Sequence, residues 1–136
     1  MKAKATQAQE LLWEIWALRE SGDTQGAALK SRKMARLHEE LAKDALEAQS
    51  PHGWPDLFAA ITAWGKAGTV ADRMHAASLL DYGYILAQVM GGDRTAVRAQ
   101  LKELLEWLVR GAEAEAKDPP SGRRPRAQRR QRRKAA

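Results

Sequence analysis

The stretch MHAASLLDYGYILAQVM, residues Met74–Met90, decides how this chain is read. Its only formal charge is Asp81, and its other strongly polar side chains are His75, Ser78 and Gln88. Wound as a helix, it brings Met74, Ala77, Tyr84 and Ile85 to one side and Leu79, Leu86 and Met90 to another. A helix apolar nearly all round belongs inside a bundle or inside a membrane. The stretch falls short of the roughly 20 apolar residues that span a bilayer, and Asp81, Gly83 and Gln88 interrupt it. It reads as the central helix of a bundle, and no membrane span is expected. Asp81, beside Tyr82 and Tyr84, is the one feature there that packing does not explain. A buried carboxylate must be paired, hydrogen-bonded or neutral, so a structural hydrogen bond or a partly exposed position is expected in preference to a catalytic acid.

Amphipathic patterns extend outward from this stretch on both sides. After Gly91-Gly92, with Asp93 placed to cap, Val97, Leu101, Leu104, Leu105 and Leu108 form the cleanest stripe in the chain, with Trp107 at its edge. This last helix is expected to fray through Ala112–Lys117 and stop before Pro119-Pro120. Upstream, Thr69 with Asp72 three residues on resembles a capping box that starts the central helix. Before it, Trp54, Leu57, Phe58, Ile61 and Trp64 recur at helical spacing, with Pro55 suited to a first turn and Gly65 and Gly68 closing the helix. Ser50-Pro51-His52-Gly53 is the clearest break.

The first helix is read over Ala5–Glu20, with Ala8, Leu11, Leu12, Ile15 and Leu18 facing the core and Trp13 and Trp16 widening the stripe. Gly22 suits its C-cap, and Asp23 or Thr24 the next N-cap. The second helix is read over Gln25–Gln49, with Ala27, Met34, Leu37, Leu41, Ala45 and Ala48 as its buried line. Lys30, Arg32, Lys33 and Arg36 crowd its first half and Glu39, Glu40, Asp44 and Glu47 its second, an order that opposes the helix dipole. Glu10 and Glu14 across an antiparallel hairpin, beside Arg32 and Arg36, are expected to offset that order, together with the pairs Arg36–Glu40 and Glu39–Lys43. Glycine breaks at Gly22, Gly68 and Gly92 lack the fixed period of about 34 residues that tetratricopeptide-like repeats require.

Composition agrees with this all-helical reading. Ala, Leu, Glu, Lys, Arg and Gln dominate, and β-formers are too scattered for a sheet. The chain has no cysteine, which removes disulfides, thiolate metal sites and cysteine nucleophiles. The start, MKAKATQAQE, turns polar where a signal peptide would turn apolar, and a cytoplasmic location is expected. The net charge of +6 is unevenly spread: eight of the 23 Lys and Arg residues fall within Pro119–Ala136, which contains no acid. Residues 1–118 hold 15 basic against 17 acidic side chains, so a polyanion-binding argument rests on the tail alone.

Those eight cations, Arg123, Arg124, Arg126, Arg129, Arg130, Arg132, Arg133 and Lys134, are the strongest functional signal. Unopposed by acids, they suit phosphate backbones through counterion release and bidentate guanidinium contacts. No aromatic residue interleaves with them, so no base-stacking platform and little sequence specificity are expected. A solubilising terminus or an acidic protein partner are the competing readings, and an anionic membrane lacks an apolar anchor here.

Lys30–Arg36 spreads around its helix, and internal pairing accounts for it better than a recognition helix does. Gly91-Gly92-Asp93-Arg94 lacks the Lys-Ser/Thr of a phosphate loop. His38, His52 and His75 show no metal spacing; His38 is expected at the surface and His52 in a loop. Of the five tryptophans, most are expected in the core. Trp54, in the PHGWPD loop, is the candidate for an exposed partner-binding anchor.

The sequence thus predicts an all-α, compact bundle of about five helices over residues 1–118 and a disordered Arg-rich tail over 119–136. The expected function is non-enzymatic: an accessory protein whose tail holds nucleic acid and whose body binds a protein partner or itself as a homo-oligomer. The alternative is an interaction adaptor whose tail docks on an acidic protein. No catalytic residue, metal ligand or cofactor site is expected.

Overall fold

The computed structural model describes residues 2–117. The 119–136 segment, with its eight cations, lies outside the described residues. Within them the chain forms α1 (Lys4–Glu20), α2 (Thr24–Glu47), α3 (Gly53–Ala67), α4 (Val70–Val89) and α5 (Thr95–Lys117). The described residues contain no strand, so the all-α expectation holds.

The turns follow from local chemistry. At the end of α1 the Gly22 N–H donates to Arg19 O and the Asp23 N–H to Leu18 O, with Gly22 at φ 84°. This is a Schellman ending, in which glycine takes the left-handed position at no steric cost. Asp23 then accepts from the Gly26 N–H at 2.8 Å and caps α2. The end of α2 repeats the hydrogen-bond pattern, with Gln49 and Ser50 donating to Leu46 and Ala45, but Gln49 occupies the left-handed position at φ 60°. At α4, the Thr69 side chain accepts from the Asp72 N–H while Asp72 accepts from the Thr69 N–H, which completes the expected capping box.

The pairs Glu14–Lys30 and Lys4–Glu40 make α1 and α2 an antiparallel hairpin. Helix α3 returns along α2 beside α1, approaching α2 closely because the contact is built from small residues. Ala35, Ala42, Gly53 and Ala60 are all buried, and a Cβ at Gly53 would lie 2.9 Å from Ala42 O. The buried line of α2 is therefore Ala27, Ser31, Ala35, Ala42 and Leu46. Met34, Leu37, Leu41 and Ala45 of the predicted line are half-buried beside it, and Ala48 is exposed. The ladder of apolar bulk placed the line one helical position too far round, because alanine and serine hold the tightest contact.

The centre of the molecule is α3, not Met74–Met90. Eight of the fifteen residues of α3 are buried, against six of twenty in α4. Helix α3 packs closely against α2, α4 and α5, whereas α4 packs closely against α3 and α5 and meets α2 only through longer side chains. Ala76, Leu79, Leu80, Gly83 and Ala87 form the single buried stripe of α4. Its other side leaves Met74 68 % and Val89 74 % exposed. Low charge therefore marked an apolar helix without marking how many neighbours it has. Helix α5 lays Leu101, Leu104 and Leu108 on the core as expected. It stays helical to Lys117, where fraying was expected, and Glu115 pairs with Arg73. No helix among the described residues is long and apolar enough to cross a membrane.

Candidate functional site

Helices α1 and α3 both pack on α2, and a groove of about 540 Å³ opens between them with α2 as its floor. Ala5, Ala8, Leu12 and Ile15 line the α1 wall, Phe58, Ala59 and Ala63 the α3 wall, and Met34 lies on the floor. Positions 5, 8, 12, 15 and 19 share one side of α1 by their spacing. Leu12 is exposed at the groove, and Trp16, four residues on and 60 % exposed, extends the same face. Trp13 is 64 % exposed farther round. These are the exposed tryptophans of the body, and the anchor expected at Trp54 is overturned. Trp54 is only 4 % exposed, lying in the first turn of α3 where that helix enters the core and stacking beside Phe58 with centroids 6.3 Å apart. A loop-like PHGWPD motif was misread: the helix already begins at Gly53, so Trp54 turns inward with Leu57.

The two hydroxyls and the imidazole of the groove are satisfied internally. Ser31 Oγ donates to Ala63 O at 2.8 Å, Thr62 Oγ1 donates to Phe58 O at 2.9 Å, and His38 Nδ1 meets Asp56 Oδ1 at 2.9 Å. His38 is thus a half-buried partner of α3 and not a free surface residue. Arg19 and Lys66 stand at one end of the groove, and no acidic side chain lines it.

A second constellation joins α2, α3 and α4. Glu39 of α2 accepts from Trp64 Nε1 at 3.0 Å and Lys43 Nζ at 3.0 Å, and meets His75 Nε2 at 2.6 Å. The His75 ring lies on Trp64 with centroids 4.2 Å apart, and the Arg36 guanidinium sits over the same indole at 5.5 Å. Burial pushes the Glu39 carboxyl up, but the hydrogen bonds from His75, Lys43 and Trp64 outweigh it and hold the group below its ordinary value. A carboxylate occupied by three partners has little capacity left as a base, so the cluster acts as a clasp between three helices. Its members lie 25 and 36 residues apart, and only the Glu39–Lys43 spacing was visible in the sequence.

Arg32 and Asp72 form the other long-range clasp, with Nε and Nη2 each 2.9 Å from a carboxylate oxygen. Burial raises the Asp72 pKa, while the donors Arg32 and Thr69 lower it further, leaving it below the ordinary value. The expected neighbours of Glu10 and Glu14 are corrected by this pairing: Glu10 pairs with Lys2, Glu14 with Lys30, and Arg32 turns toward α4. Two residues along a helix rotate a side chain by about 200°, so Lys30 and Arg32 cannot face the same neighbour. Within the basic run Lys30–Arg36, Lys30, Arg32 and Arg36 make these internal contacts, whereas Lys33 is exposed.

Asp81 is exposed, so the structural reading of it needs no buried partner; the buried carboxylate of α4 is Asp72. Gly91 and Gly92 adopt left-handed turns, and Asp93 accepts from the Thr95 N–H and hydroxyl at 3.0 and 2.7 Å, an ordinary helix start. Among the described residues no three His, Asp or Glu side chains gather as metal ligands do. The eight basic candidates from Arg123 to Lys134 lie outside the described residues. Comparison of the chain with known protein families, with curated proteins and with solved structures finds no match.

Proposed function

We propose that the chain is a non-enzymatic accessory protein that holds nucleic acid through Arg123–Lys134 and binds a protein through its helical body. The segregation of charge carries this reading. Every excess cation of the chain sits in one acid-free segment, and residues 1–118 have a slight acidic excess. The positive run within the body supports the same division, because Lys30, Arg32 and Arg36 are engaged by Glu14, Asp72 and Trp64. An acid-free arginine segment binds phosphates by releasing condensed counterions, with little sequence preference. The groove and the exposed tryptophans of α1 favour a protein-binding role for the body, since tryptophan is enriched among residues that dominate interface energy.

Binding of the full chain and of a truncation ending at Asp118 to duplex DNA and to RNA, measured across a salt series, tests the nucleic-acid half. The full chain is expected to lose affinity steeply with salt and the truncation to bind neither polymer. Salt-independent binding, or equal affinity without the segment, overturns it. Binding of the full chain to an acidic protein surface and not to either nucleic acid would favour an adaptor role instead.

A further inference from the structure

Resting on the protein-binding half of that reading, we infer that the α1–α3 groove takes an amphipathic helix carrying acidic residues from a partner protein. Two helices packed side by side on a third leave a trough in which a further helix would complete a bundle. Its length fits: Ala5 to Arg19 along α1 covers about 21 Å, or about four helical turns. Alanines on both walls let a backbone approach closely, while Leu12 and Phe58 provide the larger contacts.

The polar chemistry favours a helix over a small molecule. A small ligand is oriented by a few polar groups that converge on it. Here Ser31, Thr62 and His38 already spend their hydrogen bonds on α3, so between its ends the groove offers chiefly apolar contact, with Gln9 on the α1 wall and Arg19 and Lys66 at one end. A helix needs nothing more, because its own backbone is internally hydrogen-bonded. The charge of the occupant follows from Arg19 and Lys66. Both lie in the last turn of a helix, where each offsets about half a unit of negative helix-end charge. Arg19 and Lys66 therefore leave the lining of that end positive, with Glu20, the last residue of α1, outside the lining. A helix with glutamate or aspartate on its flank meets this; the arginine segment of the same chain does not.

The experiment is a selection from displayed 18-residue helices with a fixed leucine–alanine stripe and flanking positions randomised between Glu and Lys, using the full-length chain as target. The selected pool is expected to be rich in Glu toward one end. Its binding should fall at least tenfold with Leu12→Glu, a substitution at an exposed position whose folding is checked by circular dichroism and melting. The double substitution Arg19→Glu and Lys66→Glu should shift selection toward Lys. Selected helices should bind the truncation ending at Asp118 as well as the full chain.

No enrichment, enrichment of Lys, or binding indifferent to Leu12→Glu overturns the inference. Binding that disappears with the truncation shows capture by the arginine segment and likewise overturns it. So does a dimer in sedimentation that Leu12→Glu dissociates, which would make the occupant a second copy. The salt-series measurement with nucleic acid is independent of all these outcomes, so failure here is distinguishable from failure of the nucleic-acid reading.

Discussion

At Asp72 one carboxylate closes the capping box of α4 and takes two hydrogen bonds from Arg32, forty residues earlier in the chain. Glu39 plays a similar part for His75, Lys43 and Trp64. Both groups are held below their ordinary values of 3.8 and 4.5, so their stabilisation is complete above those values. It is lost as pH falls through the lower folded values. Urea midpoints should therefore decline as pH drops below 4.5, and Asp72→Asn should flatten the part of that decline below 3.8. Because the Arg32 side chain remains 24 % exposed, the substitution should cost about 1–3 kcal/mol at neutral pH, less than for a fully buried pair. An unchanged acid profile would show that Asp72 contributes nothing there.

Tryptophan substitutions separate core from surface at the same scale. Trp54→Ala should cost about 3–5 kcal/mol, whereas Trp13→Ala and Trp16→Ala should each change stability by less than about 0.5 kcal/mol. The buried Trp54 indole N–H has no hydrogen-bond partner in the structure, so Trp54→Phe should cost far less than Trp54→Ala. Melting temperatures of the four variants check this, and a large loss at Trp16 would contradict its exposure.

Among the helices, the end of α2 is the least comfortable. Gln49 holds the left-handed position that glycine fills after α1, at a cost of about 1 kcal/mol for a residue with a Cβ. Gln49→Gly should raise stability by about 0.5–1 kcal/mol, measured by denaturant unfolding. Four residues on, the demand reverses. Gly53 faces Leu46 and the backbone of Ala42 at distances that admit no Cβ, so Gly53→Ala should destabilise by about 1–3 kcal/mol. Glycine matters at the second site for close approach and at the first for backbone angle. The breaks at Gly22 and Gly68 and the capping box at Thr69 were legible because each depends on neighbouring residues alone. The buried line of α2 was not, because small residues at a close contact carry little hydrophobic signal.

For the whole molecule, charge separates a nearly neutral body from a strongly basic segment. If all eight cations between Arg123 and Lys134 met phosphates, log K against log salt on duplex DNA would slope by at most about −7. A steeper slope would require cations of the body to take part as well. The charge division, the all-α class, the five helices and most of their ends were determined by the sequence itself, through propensity, capping and composition. Only the tertiary structure decided that α3 is the central helix, that Trp54 is buried while Trp13 and Trp16 are not, and that Arg32 answers Asp72 rather than Glu10 or Glu14. Helical periodicity states which residues share a side of a helix. It is silent on how many helices cover that side, because burial depends on where the other segments of the chain come to rest.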